Sequence, residues 1–171
     1  FVKAAGALPE IWSYGHRNPQ GLAVDVATGR LWAHEHGPQG GDELNLIQKG
    51  GNYGWPVATK GLDYSGATIS PFKTYPGMID GRAVWVPSIA PSGLAVYRGA
   101  LWPSWQGDLI VGALVNKEVR RLDVDADGRV VRQERIFPSI KARIRDVRVA
   151  PDGAVWLTTD EDAGKVLRVT P

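Results

Sequence analysis

The chain has 171 residues, no cysteine and a formal net charge of +2. A chain of this length can bury roughly two-thirds of its unfolded surface, so composition alone requires no partner. The lack of cysteine excludes disulfides, thiolate metal sites and cysteine nucleophiles, and the interleaving of basic with acidic residues argues against a nucleic-acid partner.

Twenty-one glycines, twelve prolines and seven tryptophans predict many short strands joined by tight turns, and hence an all-β fold. No apolar run reaches the length of about 18 residues that a membrane span requires, so we expect none. Residues 1–14 lack the apolar block of a signal peptide, a pattern shared by mature secreted proteins and internal fragments.

The first predicted elements lie in the N-terminal third of the chain. An outer strand is expected at residues 8–14, followed by a loop at 15–20. Alternating apolar residues then predict a hairpin with strands at 21–26 and 30–34, because the turn between them ends in Gly29.

Similar units follow later in the chain. Strands are predicted at residues 93–97, 108–114, 118–124, 130–136, 146–150, 155–159 and 165–169. The stretches QGLAVDVATGRLWAHE, SGLAVYRGALW and RDVRVAPDGAVWLTTDE each combine an apolar strand, a glycine turn and a strand with tryptophan. This pattern predicts an internal repeat of roughly 40 to 50 residues, the length of a propeller blade.

We therefore expect one partial propeller domain spanning residues 1–171. Its approximate blades are 8–56, 93–136 and 143–171, with a long loop insertion at 48–91. Three four-stranded antiparallel blades do not close a ring, so the chain is expected to be half of a six-bladed propeller or to pair with a second copy. An open β-sandwich is the alternative.

Polar chemistry is concentrated between Gly15 and Pro56, which includes all three histidines. Arg17 and Asn18 occupy a loop ahead of a strand. The planar guanidinium group of Arg17 suits a carboxylate or a polarised carbonyl oxygen, although a loop arginine can also cap backbone carbonyls. His34 and its neighbours Glu35 and His36 resemble metal ligands, but no third ligand is in reach by sequence, which disfavours zinc.

Two further groups of residues suggest ligand chemistry. The loop from Gly37 to Glu43 combines free backbone carbonyls with the carboxylates of Asp42 and Glu43, oxygen ligands that suit calcium. Arg143 and Arg145 point to one side of a strand, where they need either a carboxylate such as Asp146 or a ligand with several carboxylates. Trp55 and Trp85 fall in predicted loops and are candidates for lining a ring-shaped ligand, while most other tryptophans are expected to pack between blades.

The motifs GHRNPQGLAVD, EHGPQGGDELNLI, GGNYGWP, WVPSIAPSGLAVY and RIRDV occur in this order across most of the chain. Together they resemble the soluble pyrroloquinoline quinone (PQQ) dependent sugar dehydrogenases of the glucose/sorbosone dehydrogenase family, and most of all the aldose sugar dehydrogenase branch. The resemblance implies the C-terminal half of a six-bladed propeller, periplasmic or secreted, that oxidises aldose sugars at C1 to lactones with PQQ and calcium.

The resemblance also implies roles for individual residues. Arg17 would polarise the quinone carbonyl that accepts hydride. The other residues implied to contact PQQ are Asn18, Tyr64, Ser88, Arg143 and Arg145. Main-chain oxygens of Gly37 and Pro38 would hold the catalytic calcium, while Glu43 and Tyr53 resemble a second calcium site, with Tyr53 contributing a backbone oxygen.

The chain departs from the family pattern at two points. Val115 stands where the glucose dehydrogenase branch has a lysine, and Lys117 follows two residues later. The general-base histidine lies on an earlier blade in the family and has no counterpart here; His16 and His36 are not expected to replace it. We therefore expect little or no turnover from this chain alone.

Two other functions fit the same sequence. One is a non-catalytic propeller module whose calcium loops hold a protein or glycan partner. The other is a calcium-dependent lactonase-type hydrolase on a related propeller.

Overall fold

The computed structural model describes Phe1 and residues 4–171. In the described residues, eleven strands form three antiparallel sheets, which confirms the all-β propeller-blade prediction. The first sheet has the order β1-β2-β3-β4, with strands Pro19–Asp25, Arg30–Glu35, Asp42–Ile47 and Ala83–Trp85.

The second sheet has the order β5-β6-β7-β8, with strands Pro91–Val96, Leu109–Ala113, Glu118–Val124 and Val130–Ile136. A short 3₁₀ helix at Pro103–Trp105 precedes β6. The third sheet consists of β9 (Ile144–Val149), β10 (Val155–Thr159) and β11 (Val166–Val169). Its order in space is β11-β10-β9. It therefore contains three strands in the described part of the chain, where the other two sheets contain four.

Some local predictions differ from the structure. The expected outer strand at 8–14 is wrong, since this segment contributes only an isolated bridge between Tyr14 and Asn52. The first sheet takes its fourth strand, Ala83–Trp85, from within the stretch 48–91. No helix among the described residues is long and apolar enough to cross a membrane.

The first strands of the three sheets, β1, β5 and β9, contact one another in succession. Just before β1, the carbonyl of Asn18 accepts a hydrogen bond from the main-chain N–H of His36, and Nε2 of His36 donates to the carbonyl of Pro91, the first residue of β5. At the other end, Asp25 of β1 pairs with Arg98, which follows β5. These contacts join start to start and end to end, so β1 and β5 run in the same direction and their starting loops meet at one end of the fold.

The hydrophobic core consists of two clusters, one on each face of the second sheet. In β6, Leu109 and Val111 face the first sheet, whereas Ile110 faces the third, as the two-residue period of a strand requires. Trp32 and Leu44 of the first sheet are almost fully buried in the first cluster. The second sheet is thus buried on both faces, and it fixes the positions of the loops on either side.

Candidate functional site

The loop that carries Arg17 and Asn18 is fixed by a buried carboxylate, that of Glu35 at the end of β2. Its Oε2 accepts hydrogen bonds from the main-chain N–H groups of Arg17 (2.5 Å) and Asn18 (3.3 Å). Its Oε1 accepts one from Nδ2 of Asn45 (3.0 Å) and lies 3.0 Å from Nδ1 of His16. Glu35 therefore holds the Arg17 loop in place and is not a free metal ligand.

The guanidinium group of Arg17 rests on backbone oxygens at the end of β2. Its Nη1 donates to the carbonyl of His36 at 3.2 Å and to that of Gly37 at 3.0 Å. The guanidinium carbon lies 5.4 Å from the ring centre of Trp55, a cation–π distance. Arg17, Gly37, Trp55 and Tyr53 line one cavity, so the predicted Arg17 and calcium-loop positions are brought together there.

Asp42 connects the loop from Gly37 to Glu43, the candidate calcium loop, to the loop that contains Ser88. Its buried carboxylate accepts hydrogen bonds from the main-chain N–H of Gly37 (3.0 Å), the Ser88 hydroxyl (2.8 Å) and the N–H groups of Ile89 and Ala90 (both 2.9 Å). Four donors satisfy the lone pairs of one carboxylate. The expectation that Asp42 offers a free oxygen to calcium is therefore wrong, and Asp42 shapes the loop instead.

The same loop requires glycine for steric reasons. A Cβ atom on Gly37 would overlap the carbonyl oxygen of Gly40, and one on Gly41 would lie 2.6 Å from the main-chain nitrogen of Gly61. Gly40 and Gly41 also have positive φ angles of 79° and 77°. The backbone around Gly37 and Pro38 is thus folded tightly on itself beside the loop at Gly61.

Two carboxylates face each other across β2 and β3 in the cavity. Glu43 is paired with Glu35 in the strand register, and both residues line the cavity. Burial, followed by the repulsion from Glu35, raises the pKa of Glu43 from 4.5 to about 7. A bound cation at this point would favour the charged form of Glu43, which fits its predicted place in a second calcium site.

Tyr53 stands next to these carboxylates. Its ring stacks on that of His16 with centroids 4.6 Å apart. Its hydroxyl donates to the carbonyl of Leu46 (2.7 Å) and accepts from the N–H of Gln48 (2.8 Å). The hydroxyl is therefore occupied by backbone groups, which leaves the predicted role of Tyr53 to its main-chain oxygen.

The three histidines are each bound to neighbouring protein groups. Nε2 of His16 lies 2.9 Å from the Ser13 hydroxyl, and Nε2 of His36 donates to the carbonyl of Pro91 at 2.8 Å. His34 is completely buried, and burial lowers its pKa from 6.5 to about 4. Within the described residues, no group of three histidine, cysteine, aspartate or glutamate side chains is arranged to hold a metal ion.

Arg143 and Arg145 share one carboxylate, which is that of Asp160. Nη2 of Arg143 lies 2.9 Å from Oδ2 of Asp160, and Nη2 of Arg145 lies 3.0 Å from Oδ1. The hydrogen bonds from Arg145 and Arg143 lower the pKa of Asp160. The expectation that Asp146 is the partner of these arginines is wrong, because Asp146 pairs with Arg148 at 3.0 Å.

The arginine pair and the Arg17 cavity are linked through the first residues of β5 and β9. His36, which adjoins Gly37, donates to the carbonyl of Pro91. Ser92, the residue after Pro91, donates to the carbonyl of Ile144 at 2.6 Å. Ile144 lies between Arg143 and Arg145 in the sequence. Both cationic groups therefore stand where these strands begin, at one end of the fold.

The remaining candidates lie further from the cavity. Tyr64 is 73% exposed on a turn that follows Leu62, which pairs with Gln39 beside Pro38. Val115 is bonded through its N–H to the carbonyl of Ile89, next to Ser88, whereas Lys117 lines a separate cavity.

The two tryptophans predicted to lie in loops have different surroundings. Trp55 lines the cavity under Arg17. Trp85 is buried in the first core cluster, and its Nε1 donates to Oε1 of Gln133 at 2.9 Å. The expectation that Trp85 lines a ligand is therefore wrong.

Sequence reasoning missed the orienting roles of Glu35, Asp42 and Asp160. Each is a carboxylate that binds groups distant in sequence, so only the fold reveals its partners. For Glu35 and Asp160 the one available signal was an acidic residue directly after a predicted strand, whereas Asp42 follows no predicted strand.

Comparisons with known proteins identify the family to which the chain belongs. A family model described as glucose/sorbosone dehydrogenase matches residues 1–168. The aldose sugar dehydrogenase YliI of Escherichia coli is 47% identical over 173 residues, which cover 100% of this chain and 46% of that protein.

Solved structures give the same result. The apo form of the soluble aldose sugar dehydrogenase from Escherichia coli superposes with a TM-score of 0.92 at 44% identity, covering 100% of this chain and 50% of that one. The PQQ-bound aldose sugar dehydrogenase from Streptomyces coelicolor gives a TM-score of 0.72 at 30% identity, covering 98% and 48%. The chain spans about half the length of these relatives. It belongs to the glucose/sorbosone dehydrogenase family.

Proposed function

We propose that the protein carrying this chain oxidises aldose sugars at C1 to lactones with PQQ and calcium, and that this chain supplies much of the cofactor and metal site. The observation that carries the proposal is the position of Arg17. Its guanidinium group lies 3.0 Å from the carbonyl oxygen of Gly37 and over Trp55, in a cavity also lined by Glu43. The name of the Escherichia coli relative and the PQQ-bound state of the Streptomyces coelicolor structure support the assignment.

In this proposal Arg17 acts as the polarising cation. Glu35 fixes the main chain of Arg17, and the carbonyls of His36 and Gly37 accept from its Nη1, so the guanidinium group is already oriented before a ligand arrives. A preorganised donor of this kind stabilises negative charge that develops on a nearby oxygen. When bound, the quinone supplies the hydride acceptor, and Asn18, Ser88 and Tyr64 are proposed to contact it.

Arg143 and Arg145 are proposed to bind the carboxylates of the quinone. Two guanidinium groups share the single charge of Asp160, so the group as a whole carries one excess positive charge. Their side chains are 41% and 51% exposed and can present planar donors to an anion. This charge and geometry suit a ligand with several carboxylates.

Calcium is proposed to bind to main-chain oxygens of Gly37 and Pro38, with a second site at Glu43 and Tyr53. Hard divalent cations prefer such oxygen ligands. A cation bound here would lower the raised pKa of Glu43 and would offset its repulsion with Glu35, its partner in the strand register.

The general base is proposed to come from a histidine outside this chain. His16 and His36 each have a ring nitrogen in a hydrogen bond to a protein group, and His34 is buried. A base must reach the C1 hydroxyl of the sugar while hydride moves away from the same carbon. The missing half of the propeller is the proposed source.

The surface of the first sheet supports a missing partner. Leu22 and Val24 of β1 are 64% and 57% exposed, whereas Ala23 between them packs on the core. We propose that the rest of the propeller, or a second copy, covers this apolar face, and that the protein is periplasmic or secreted. The mass of the protein in solution, read with its full sequence, distinguishes the two partners.

The test is ligand binding by the intact protein. Adding PQQ with calcium is expected to raise the melting temperature and to change the quinone absorbance, and dye reduction should follow on adding an aldose. Arg17→Ala is expected to abolish dye reduction, and the double variant Arg143→Ala with Arg145→Ala to abolish PQQ binding. Arg168→Ala is the matched control, since Arg168 forms an exposed ion pair with Asp152 elsewhere on the third sheet.

Each alternative function predicts a different result. A binding module would be stabilised by calcium but not by PQQ, and alanine at the arginine pair would change nothing. A lactonase would hydrolyse lactones without reducing the dye. Either result would refute the dehydrogenase assignment.

A further inference from the structure

A β-bulge at the start of the third sheet aims two arginines at one point. Thr158 pairs with Asp146, but the next residue, Thr159, pairs with Ile144, so Arg145 is left out of the register. A bulge bends its strand and redirects side chains. Here it accompanies the approach of both Arg143 and Arg145 to Asp160, just beyond the end of β10.

Asp160 is itself fixed at this position. Its main-chain N–H donates to the carbonyl of Arg143 at 2.8 Å, which extends the pairing of the two strands past the bulge. One carboxylate oxygen accepts from Nε and Nη2 of Arg143 at 3.0 and 2.9 Å, and the other lies 3.0 Å from Nη2 of Arg145. A single anchored carboxylate thus sets the orientation of both guanidinium groups.

We propose that Asp160 is a positioning residue that holds Arg143 and Arg145 as a preformed fork for a ligand with several carboxylates. The inference rests on the proposed function, in which this arginine pair binds PQQ. Asp160 does not contact the ligand in this scheme. It lowers the cost of binding because the two long side chains are ordered in advance.

Electrostatics and preorganisation predict opposite changes in the affinity for PQQ when Asp160 is removed. Its negative charge repels an anionic ligand, so charge alone predicts tighter binding when Asp160 is removed. Ordering a long side chain costs a factor of roughly two to ten in Kd, and two arginines would lose their orienting partner. The three side chains are 31% to 51% exposed, so solvent screens the repulsion and the ordering cost is expected to dominate.

The test is isothermal titration of the intact protein with PQQ in excess calcium. Asp160→Ala is expected to weaken PQQ binding about tenfold, and Asp160→Glu, which keeps the carboxylate, to recover much of the loss. Asp152→Ala is the matched control: Asp152 pairs with Arg168 at 2.7 Å on the same sheet, and its removal should leave the Kd unchanged. Asp160→Asn, which keeps the side-chain shape and one carbonyl oxygen, covers the case in which the alanine variant does not fold.

The outcomes separate this inference from the proposed function. If the wild-type protein binds PQQ and Asp160→Ala and Asp160→Asn bind it equally well or more tightly, Asp160 is not a positioning residue, while the proposed function stands. If the wild-type protein does not bind PQQ, both are refuted. Equal weakening by Asp160→Glu and Asp160→Ala would also refute the positioning role, because the carboxylate would then have no orienting effect.

Discussion

Burial of His34 predicts that the fold loses stability as the pH falls from 6.5 towards 4. The imidazole is completely buried beside the carbonyl of Gly93, 3.4 Å from its Nε2, and its Nδ1 has no hydrogen-bond partner among the described residues. A second ring proton would therefore be buried without an acceptor. Burial accordingly lowers the pKa of His34 from 6.5 to about 4.

The sign and size of the effect follow from proton uptake. Between pH 6.5 and 4 the unfolded chain protonates His34 while the folded chain does not, so protons favour unfolding. The contribution of neutral His34 to the free energy of unfolding is complete above pH 6.5. It is lost on acidification at about 1.4 kcal/mol per pH unit, or about 3 kcal/mol between pH 6.5 and 4. Below pH 4 both states are protonated and no further loss arises from this residue.

The assay is urea unfolding of the wild type and His34→Gln at pH 7.5, 6.0, 5.0 and 4.5. Carboxylate titrations are common to both proteins and cancel in the difference. The free energy of unfolding of the wild type should fall more steeply than that of the variant below pH 6.5. Parallel curves over this range would show that the lowered pKa of His34 does not contribute to stability, and would refute the reasoning.

Two further predictions concern the buried carboxylate and the core. Asp42→Ala removes the acceptor for four donors, among them Gly37 N–H and the Ser88 hydroxyl, and should destabilise the protein by about 3 kcal/mol or more in urea unfolding; a loss below about 1 kcal/mol would contradict its structural role. Trp32→Ala empties a fully buried site and should cost about 3 to 5 kcal/mol by the same measurement, whereas Trp12→Ala, at a residue that is 51% exposed, should cost far less.

The strands were most predictable where apolar alternation and glycine turns coincide. The predicted ranges 118–124 and 130–136 match β7 and β8 residue by residue. By contrast, β3 was not predicted, because Asp42, Glu43 and Asn45 make it read as a polar loop. Its polar side chains line the cavity or form the hydrogen bonds described above. Because they occupy positions of β3, the alternation of apolar and polar residues that identifies a strand is lost.

The predicted strand at 8–14 fails for a related reason. Local sequence preference is similar for a strand and for an extended segment, and only pairing with a neighbour distinguishes them. Trp12 and Ile11 are exposed, and only Tyr14 forms a bridge, to Asn52. Tertiary contacts that are distant in sequence decided the outcome.

The cationic residues of the site could be chosen from the sequence, but their partners could not. Arg143 and Arg145 were correctly expected to need a carboxylate or an anionic ligand. The nearest acidic residue, Asp146, was chosen, yet the bulge opposite Thr158 directs both arginines to Asp160 instead. Register shifts of this kind depend on the pairing of two strands and leave little trace in either strand alone.

The two cationic parts of the site differ in how their charge is balanced, and this difference suits the two tasks proposed for them. Glu35 binds the main-chain N–H of Arg17 and not its guanidinium group, whose Nη1 meets neutral carbonyl oxygens. The positive charge of Arg17 thus remains available to stabilise negative charge that develops during a reaction. Asp160 instead binds the guanidinium groups of Arg143 and Arg145 directly and neutralises half of their charge, which favours rigid recognition of a ligand that is already anionic. Under the proposed function, a scaffold that fixes one arginine through its backbone and two through their side chains would separate charge stabilisation from ligand recognition at one end of the sheets.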